Sequence, residues 1–179
     1  MTYRSLDEIY ADKSEALSEI EGALRSMTPA QLGFHPTPGA WSIAEIVEHL
    51  AIVETGQLRM LGSLIEKAER GGKGPAPVNV ELDDRYRDSA NGRIETREQS
   101  KPTGSVPAAD SLAGLRTLQA ELVGLRPRLD RVDINAVRFQ HPVLGDLTLG
   151  QWVAFVGVHE ERHLRQMRGV IASPAFPRE

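Results

Sequence analysis

The chain has five histidines and no cysteine, so any metal chemistry must come from imidazole and carboxylate ligands. Two of the histidines stand four apart in His159-Glu160-Glu161-Arg162-His163. At about 100° per residue, Trp152, Val156, His159, His163, Met167 and Val170 fall within about 60° of one helical line, and Gln166 lies near it. Side chains four apart stack on one helix face. Two imidazole nitrogens can then converge on one ion, at the about 2.0–2.1 Å of a histidine–zinc bond. The competing reading is a pair of hydrogen-bonded core imidazoles, but stacked rings repel if both are protonated. Coordination meets both demands. The segment formally matches H-E-x-x-H, in which Glu160 would serve a metalloprotease as general base. That pattern is short, however, and Glu160 falls off the ligand line.

The candidate third ligand is His49. It flanks the apolar line of another helix, about 60° from Ile46. Gly56, seven residues on along the same line, leaves room beside it for a ligand. A third ligand from a distant helix argues against the metalloprotease pattern. Gln166 faces the same way as His159 and can hydrogen-bond a ligand ring. Glu45, four before His49, could orient it, although a capping role already accounts for Glu45. His35 and His141 precede prolines and read as turn or surface residues. Arg93, Arg97 and Lys101 could bind an anionic substrate such as a thiol peptide, against the plainer reading of a solvated loop.

Four helical segments must position these residues. The first spans about Ser5 to Ser26, with Leu6, Ile9, Tyr10, Leu17, Ile20 and Leu24 on one stripe. Thr28-Pro29 ends it, and a Gly/Pro-rich connection follows. The second opens at Ser42, where Ser42 and Glu45 form an S-x-x-E capping box and Trp41 and Ile46 a hydrophobic staple. It runs to about Arg70, before Gly71-Gly72. Residues 71–110 are polar and rich in Gly and Pro, long for a structureless loop, and compatible with a short helix around 82–88. Such a stretch suits a site cover. The third helix spans about Ser111 to Arg126, with Asp130 as its outer limit and Pro127 as an end or kink. His141-Pro142-Val143-Leu144-Gly145 reads as a turn. The fourth helix opens at Thr148, capped with Gln151 and stapled by Leu147 and Trp152, and runs to about Ala172. The expected fold is all-α: a single-domain four-helix bundle over residues 1–179, with a long connection between the second and third helices that suggests a crossover.

Composition sets the outer limits. The 179 residues fit one domain. Aromatics are 5%, and Val, Ile and Thr do not alternate, which excludes a β-rich fold. Net charge is −4 with no basic patch, so nucleic acid is not expected as a partner. No run approaches the ~18 apolar residues of a membrane span. The N-terminus lacks an apolar signal region. A cytoplasmic protein with no membrane partner is expected.

The segment Trp41-Ser42-Ile43-Ala44-Glu45-Ile46-Val47-Glu48-His49-Leu50 resembles the W-S-x-x-E-x-x-x-H-L segment of the DinB-like superfamily. The segment His141-Pro142-Val143-Leu144-Gly145, followed by Thr148 to Gln166 with its His159-Glu160-Glu161-Arg162-His163-Leu164-Arg165-Gln166 core, resembles its second signature. The resemblance spans nearly the whole chain. It implies a DinB/YfiT-like bundle with a metal site on His49, His159 and His163. One divalent ion, zinc or nickel, would bind there with water in the remaining positions. Homodimers are common in the family. Some members transfer low-molecular-weight bacterial thiols to electrophiles, and one branch isomerises maleylpyruvate with mycothiol.

An open site of three neutral ligands leaves an ion its full charge, which acidifies a bound water and ionises a bound thiol. The expected function is a metal-dependent enzyme. The preferred form is a thiol-dependent S-transferase of bacillithiol or mycothiol type acting on small electrophiles. The alternatives are a metal-dependent hydrolase, a non-catalytic metal-binding protein linked to stress, and a bundle with no metal. A catalytic site requires an open position facing a cavity, whereas a purely binding site requires a closed shell with a fourth protein ligand.

Overall fold

The computed structural model describes residues 1–82, 96–142 and 144–178. Helix α1 covers Leu6–Leu24, α2 is one turn over Pro29–Leu32, α3 covers Ile43–Arg70, α4 covers Ala108–Leu129 and α5 covers Leu149–Ile171. Two antiparallel ladders accompany them. Strand β1 (Thr2–Tyr3) pairs with β2 (Val80–Glu81), and β3 (Arg138–His141) pairs with β4 (Gly145–Thr148). The four long helices form the expected bundle.

Both expected capping boxes are present. Ser42 Oγ accepts the Glu45 N–H at 3.2 Å, and Glu45 Oε2 accepts the Ser42 N–H at 2.8 Å. At α5, Thr148 Oγ1 accepts from Gln151 N–H at 3.1 Å, and Gln151 Oε1 accepts from Thr148 N–H at 2.8 Å. Each exchange satisfies amide donors that a helix start otherwise leaves unpaired.

Several local expectations are corrected. Helix α4 starts at Ala108, ahead of the expected Ser111, with Pro107 at its N-cap; it passes through Pro127 and ends at Leu129, within the outer limit read at Asp130. The missing Pro127 N–H would have bonded the Val123 carbonyl, and Val123 is exposed, so water can replace that bond. The chain after Thr28 forms the single turn α2, capped by Thr28 and Gln31. The turn near Pro142 belongs to a hairpin that pairs His141 with Gly145, where Gly145 adopts φ +79°, a conformation glycine takes at no steric cost. The long connection contributes β2 and a one-turn 3-10 helix, Glu98–Ser100. The short helix expected around 82–88 falls, beyond Leu82, outside the described residues.

Helix directions explain why that connection is long. Helix α1 runs antiparallel to α4, as the pairs Asp7–Arg126 and Glu21–Arg116 show, and it packs along α5. Helix α3 packs on α4 and α5. Gly114 faces Ala51, and Arg128 binds Glu69 further along, so α3 and α4 lie parallel. With 28 residues in α3, the chain must travel back roughly 42 Å before α4 can begin.

The core is mainly aliphatic, with Ile20, Ile46, Leu50, Leu61, Ile65, Leu115 and Leu122 buried. Its centre also holds charge. Lys13 is 1% exposed, and its Nζ lies 2.6 Å from Glu160 Oε1 and 3.4 Å from Glu54 Oε2, both carboxylates being fully buried. Burial, reinforced by the neighbouring Glu160 carboxylate, pushes the Glu54 carboxyl well above its ordinary range. Burial raises Glu160 as well. One carboxyl proton retained between them leaves the triad neutral.

Gly157 lets α1 and α5 approach at this point. A Cβ there would lie 3.1 Å from Lys13 Cα and 3.3 Å from Lys13 N. Gly157→Ala should destabilise the fold by about 1–3 kcal/mol through overpacking, although alanine is favoured over glycine in a helix by about 1 kcal/mol. Urea denaturation checks this, and a variant as stable as the parent would contradict the close packing.

Candidate metal centre

Helices α3 and α5 bring three rings together. One ring nitrogen from each of His49, His159 and His163 lies within 4.8 Å of the others, and all three side chains are buried. Ring centroids are 5.4 Å apart for His49–His159, 4.7 Å for His49–His163 and 4.6 Å for His159–His163.

Outer partners set the tautomers of two rings. His49 Nδ1 lies 2.7 Å from the Ser100 carbonyl oxygen, which can only accept, so Nδ1 carries the proton and Nε2 keeps its lone pair. His163 Nδ1 donates in the same way to Gln166 Oε1 at 2.8 Å, the position expected for Gln166. The Nε2 atoms of His159 and His163 are 3.2 Å apart. Two nitrogens held about 2.0–2.1 Å from a tetrahedral zinc would be about 3.3–3.4 Å apart. The donor set therefore fits a divalent ion, with outer hydrogen bonds of the kind that orient ligating histidines.

The rings are neutral, as ligation requires. Burial pushes His163 down to about 3, helped by His49 and Arg162 and opposed by the Gln166 bond. Burial also holds His159 well below its ordinary value, with His163 and His49 adding to the effect. His49 is lowered by burial, against the Ser100 bond.

The return segment is clipped to α3 beside Ser100. Glu48 Oε1 accepts from the Thr103 N–H at 2.9 Å and the Thr103 hydroxyl at 2.6 Å, and Oε2 accepts from the Gly104 N–H at 2.9 Å. Burial works against ionising Glu48, yet these bonds hold its carboxyl below the ordinary range. Trp41 packs its ring 4.8 Å from His49, so this staple residue also walls the centre. Phe155 lies 5.8 Å from His159.

A cavity of about 900 Å³ opens beside the three rings. Its walls come from α3 (Val53, Gly56, Met60), the return segment (Arg97, Gln99, Ser100), the hairpin (Phe139, His141, Leu144) and α5 (Trp152, Phe155, Arg162). Residues of the 71–110 stretch thus line the cavity beside the histidines, as expected of a cover. Gly56 does line the cavity, but a Cβ there would meet nothing within 4 Å, so the space does not depend on glycine.

Other candidates take other roles. Glu45 serves the Ser42 cap through Oε2, with His35 Nδ1 3.4 Å from the same oxygen, and is not the orienting group of His49. Glu160 is sequestered against Lys13 and does not line the cavity, because its position on α5 turns it toward α1. His141, read as a turn residue, stands on the cavity wall, 4.9 Å from the Phe155 ring and 5.2 Å from Trp152. Burial and then Arg97 push it down to about 4. Arg97 lines the cavity, Lys101 is exposed and paired with Glu98 at 2.6 Å, and Arg93 lies outside the described residues. The Ser100 carbonyl, the Glu48 clip and Arg162 were not singled out from the sequence. Of these, Glu48 and Arg162, each charged and one residue from a candidate ligand, gave a signal, whereas a backbone carbonyl gives none.

A helical bundle with three neutral imidazoles converging beside a cavity defines the class of site. The chain belongs to the DinB superfamily, whose family model matches residues 14–167. It is 28% identical over 163 residues to the Bacillus subtilis (strain 168) protein YuaE, covering 88% of this chain and 93% of that one. Its fold is similar to YfiT from Bacillus subtilis (TM-score 0.59, 19% identity, 92% of this chain and 85% of that one), a protein described as a probable metal-dependent hydrolase with an unusual four-helix bundle topology. It is also similar to the four-helix bundle protein TT2238 (TM-score 0.61, 22% identity, 92% and 99% covered).

The neutral, tautomer-fixed centre is testable. In protein treated with chelator, long-range ¹H–¹⁵N spectra should show His49 and His163 protonated on Nδ1. The His163 ring should become charged only as pH falls toward about 3. A midpoint near 6.5 would contradict its burial.

Proposed function

We propose that the protein is a metal-dependent enzyme acting on a small molecule admitted to the cavity, with His49, His159 and His163 holding one divalent ion, zinc or nickel. The observation that carries this reading is the convergence of the three rings with the outer nitrogens of His49 and His163 engaged by Ser100 and Gln166. An ion held there would supply Lewis acidity, lowering the pKa of a water or thiol that reaches it. The chain's own part is orientation and exclusion. Ser100 and Gln166 fix the ligand rings, Trp41 and Phe155 pack against them, and the return segment and hairpin wall the site. Among the described residues no fourth histidine or carboxylate joins the cluster, which supports an open site over a closed storage shell.

The preferred reaction is transfer of a low-molecular-weight thiol to a small electrophile: the S–H bond breaks, the sulfur–carbon bond forms, and the proton leaves with the displaced group or is taken up by the adduct. A volume of about 900 Å³ accommodates two reactants, with Trp152, Phe155 and Met60 suited to an apolar electrophile. Hydrolysis is the second reading, favoured by the description of YfiT as a probable metal-dependent hydrolase.

Elemental analysis of untagged protein should find one divalent ion per chain, lost in His49→Ala and in His163→Ala. Metal in unchanged amount in either variant would overturn the assignment. Gln166→Ala should keep the site but weaken metal affinity roughly 10- to 100-fold, the usual effect of removing a group that orients a ligating histidine. Incubating the loaded protein with thiols and electrophiles, and separately with esters and amides, distinguishes the two reactions.

A further inference from the structure

We infer that the cavity selects a ligand bearing a carboxylate, and that Arg162 is the residue that recognises it. The inference rests on the reading of the cavity as a substrate site. The described wall of that cavity carries three arginines, Arg59, Arg97 and Arg162, and no aspartate or glutamate. In a chain of net charge −4, this one-sided lining stands out. Four arginines on the bundle helices are paired: Arg116 with Glu21, Arg126 with Asp7 and Asp130, Arg128 with Glu69 and Arg168 with Glu19.

Arg162 differs from them. It is half-buried and has no ion-pair or hydrogen-bond partner among the described residues, while its neighbour Glu161 reaches Arg165 instead. A guanidinium removed from water without an anion is costly unless a partner arrives, and it does not escape by deprotonating. It directly precedes His163 on α5 and lines the same cavity as His49, His159 and His163. A carboxylate seated on Arg162 therefore sits beside the three imidazoles. The planar fork of arginine accepts a carboxylate through two parallel hydrogen bonds. Trp152 and Phe155 on the same wall receive an apolar body. The ligand class is thus a small organic acid with an apolar portion. Arg59 and Arg97, both exposed on the cavity wall, add attraction on approach. The carboxylate could belong to the electrophile or to a thiol co-substrate.

The test uses two acid and amide pairs: benzoate with benzamide, and N-acetylcysteine with its amide. Binding is measured by calorimetry on chelator-treated full-length protein, because an ion could itself ligate a carboxylate and mask the arginine. At least one acid should bind about tenfold or more tighter than its amide, as expected for a charge-assisted contact. Arg162→Gln should abolish that preference, and Arg162→Lys should keep part of it. A preference confined to benzoate assigns the carboxylate to the electrophile, and one confined to N-acetylcysteine assigns it to the thiol. Equal binding of acid and amide in both pairs, or a preference that persists in Arg162→Gln, overturns the inference. Should Arg162→Gln not fold, full preference retained in Arg162→Lys would argue against the bidentate contact. Metal content is measured in parallel, so loss of the metal reading and loss of this one are told apart.

Discussion

Two consecutive helices that pack side by side in the same direction cannot be joined by a tight turn. Helices α3 and α4 are such a pair, and much of the site follows from that constraint. The chain leaves α3 at Arg70 and must return along its length before Ala108. On the way it passes the open side of the three histidines, where Ser100 gives its carbonyl to His49 and Thr103 and Gly104 close on Glu48. The connection is thus a working wall of the site. The alternation of ligand and anchor on α3, His49 beside Glu48, places an imidazole and its scaffold on adjacent residues of one helix turn.

The parts of this arrangement that were legible in the sequence are those with a local period. His159 and His163 are four apart on a buried line, and Gln166 follows three after His163, so helical geometry alone aligns them. The capping boxes at Ser42 and Thr148 are equally local, since their partners lie three residues away. His49 was legible by its place beside an apolar stripe and by the motif around it. What was not legible depends on chain path. Ser100 acts through its backbone carbonyl, which every residue possesses. Lys13 falls on the inner face of α1, but lysine is rarely buried without partners, and its partners stand on helices far off in sequence. His141 read as a turn residue because Pro142 follows it, yet a hairpin, not a simple turn, swings it over the cavity. Pro127 read as an end or a kink: the amide hydrogen bond it forgoes is the one to Val123, which is exposed, and the helix runs on to Leu129.

The electrostatic character of the cavity comes from what is kept out of it. The acidic residues nearest the three clustered histidines in sequence are Glu45, Glu48, Glu54, Glu160 and Glu161. Each of the five is engaged elsewhere: Glu45 with the Ser42 cap, Glu48 with the return segment, Glu54 and Glu160 with Lys13, and Glu161 with Arg165. The described wall is left to imidazole, guanidinium, amide and aromatic groups. Neutral rings and unopposed arginines give the space a positive bias without any cation among its ligands.

The buried triad has a consequence for assembly. Helix α1 supplies no residue to the described cavity wall, yet Lys13 meets Glu160 on α5 and Glu54 on α3. Apolar side chains tolerate small slips between helices; an enclosed ammonium between two carboxyls does not, because sliding α1 by one turn would strand charges of both signs in the core. Glu160 is the residue after His159. The first helix therefore acts as a gauge: the ammonium it buries sets the axial position of α5 against α3, and with it the distance at which imidazoles from two different helices meet.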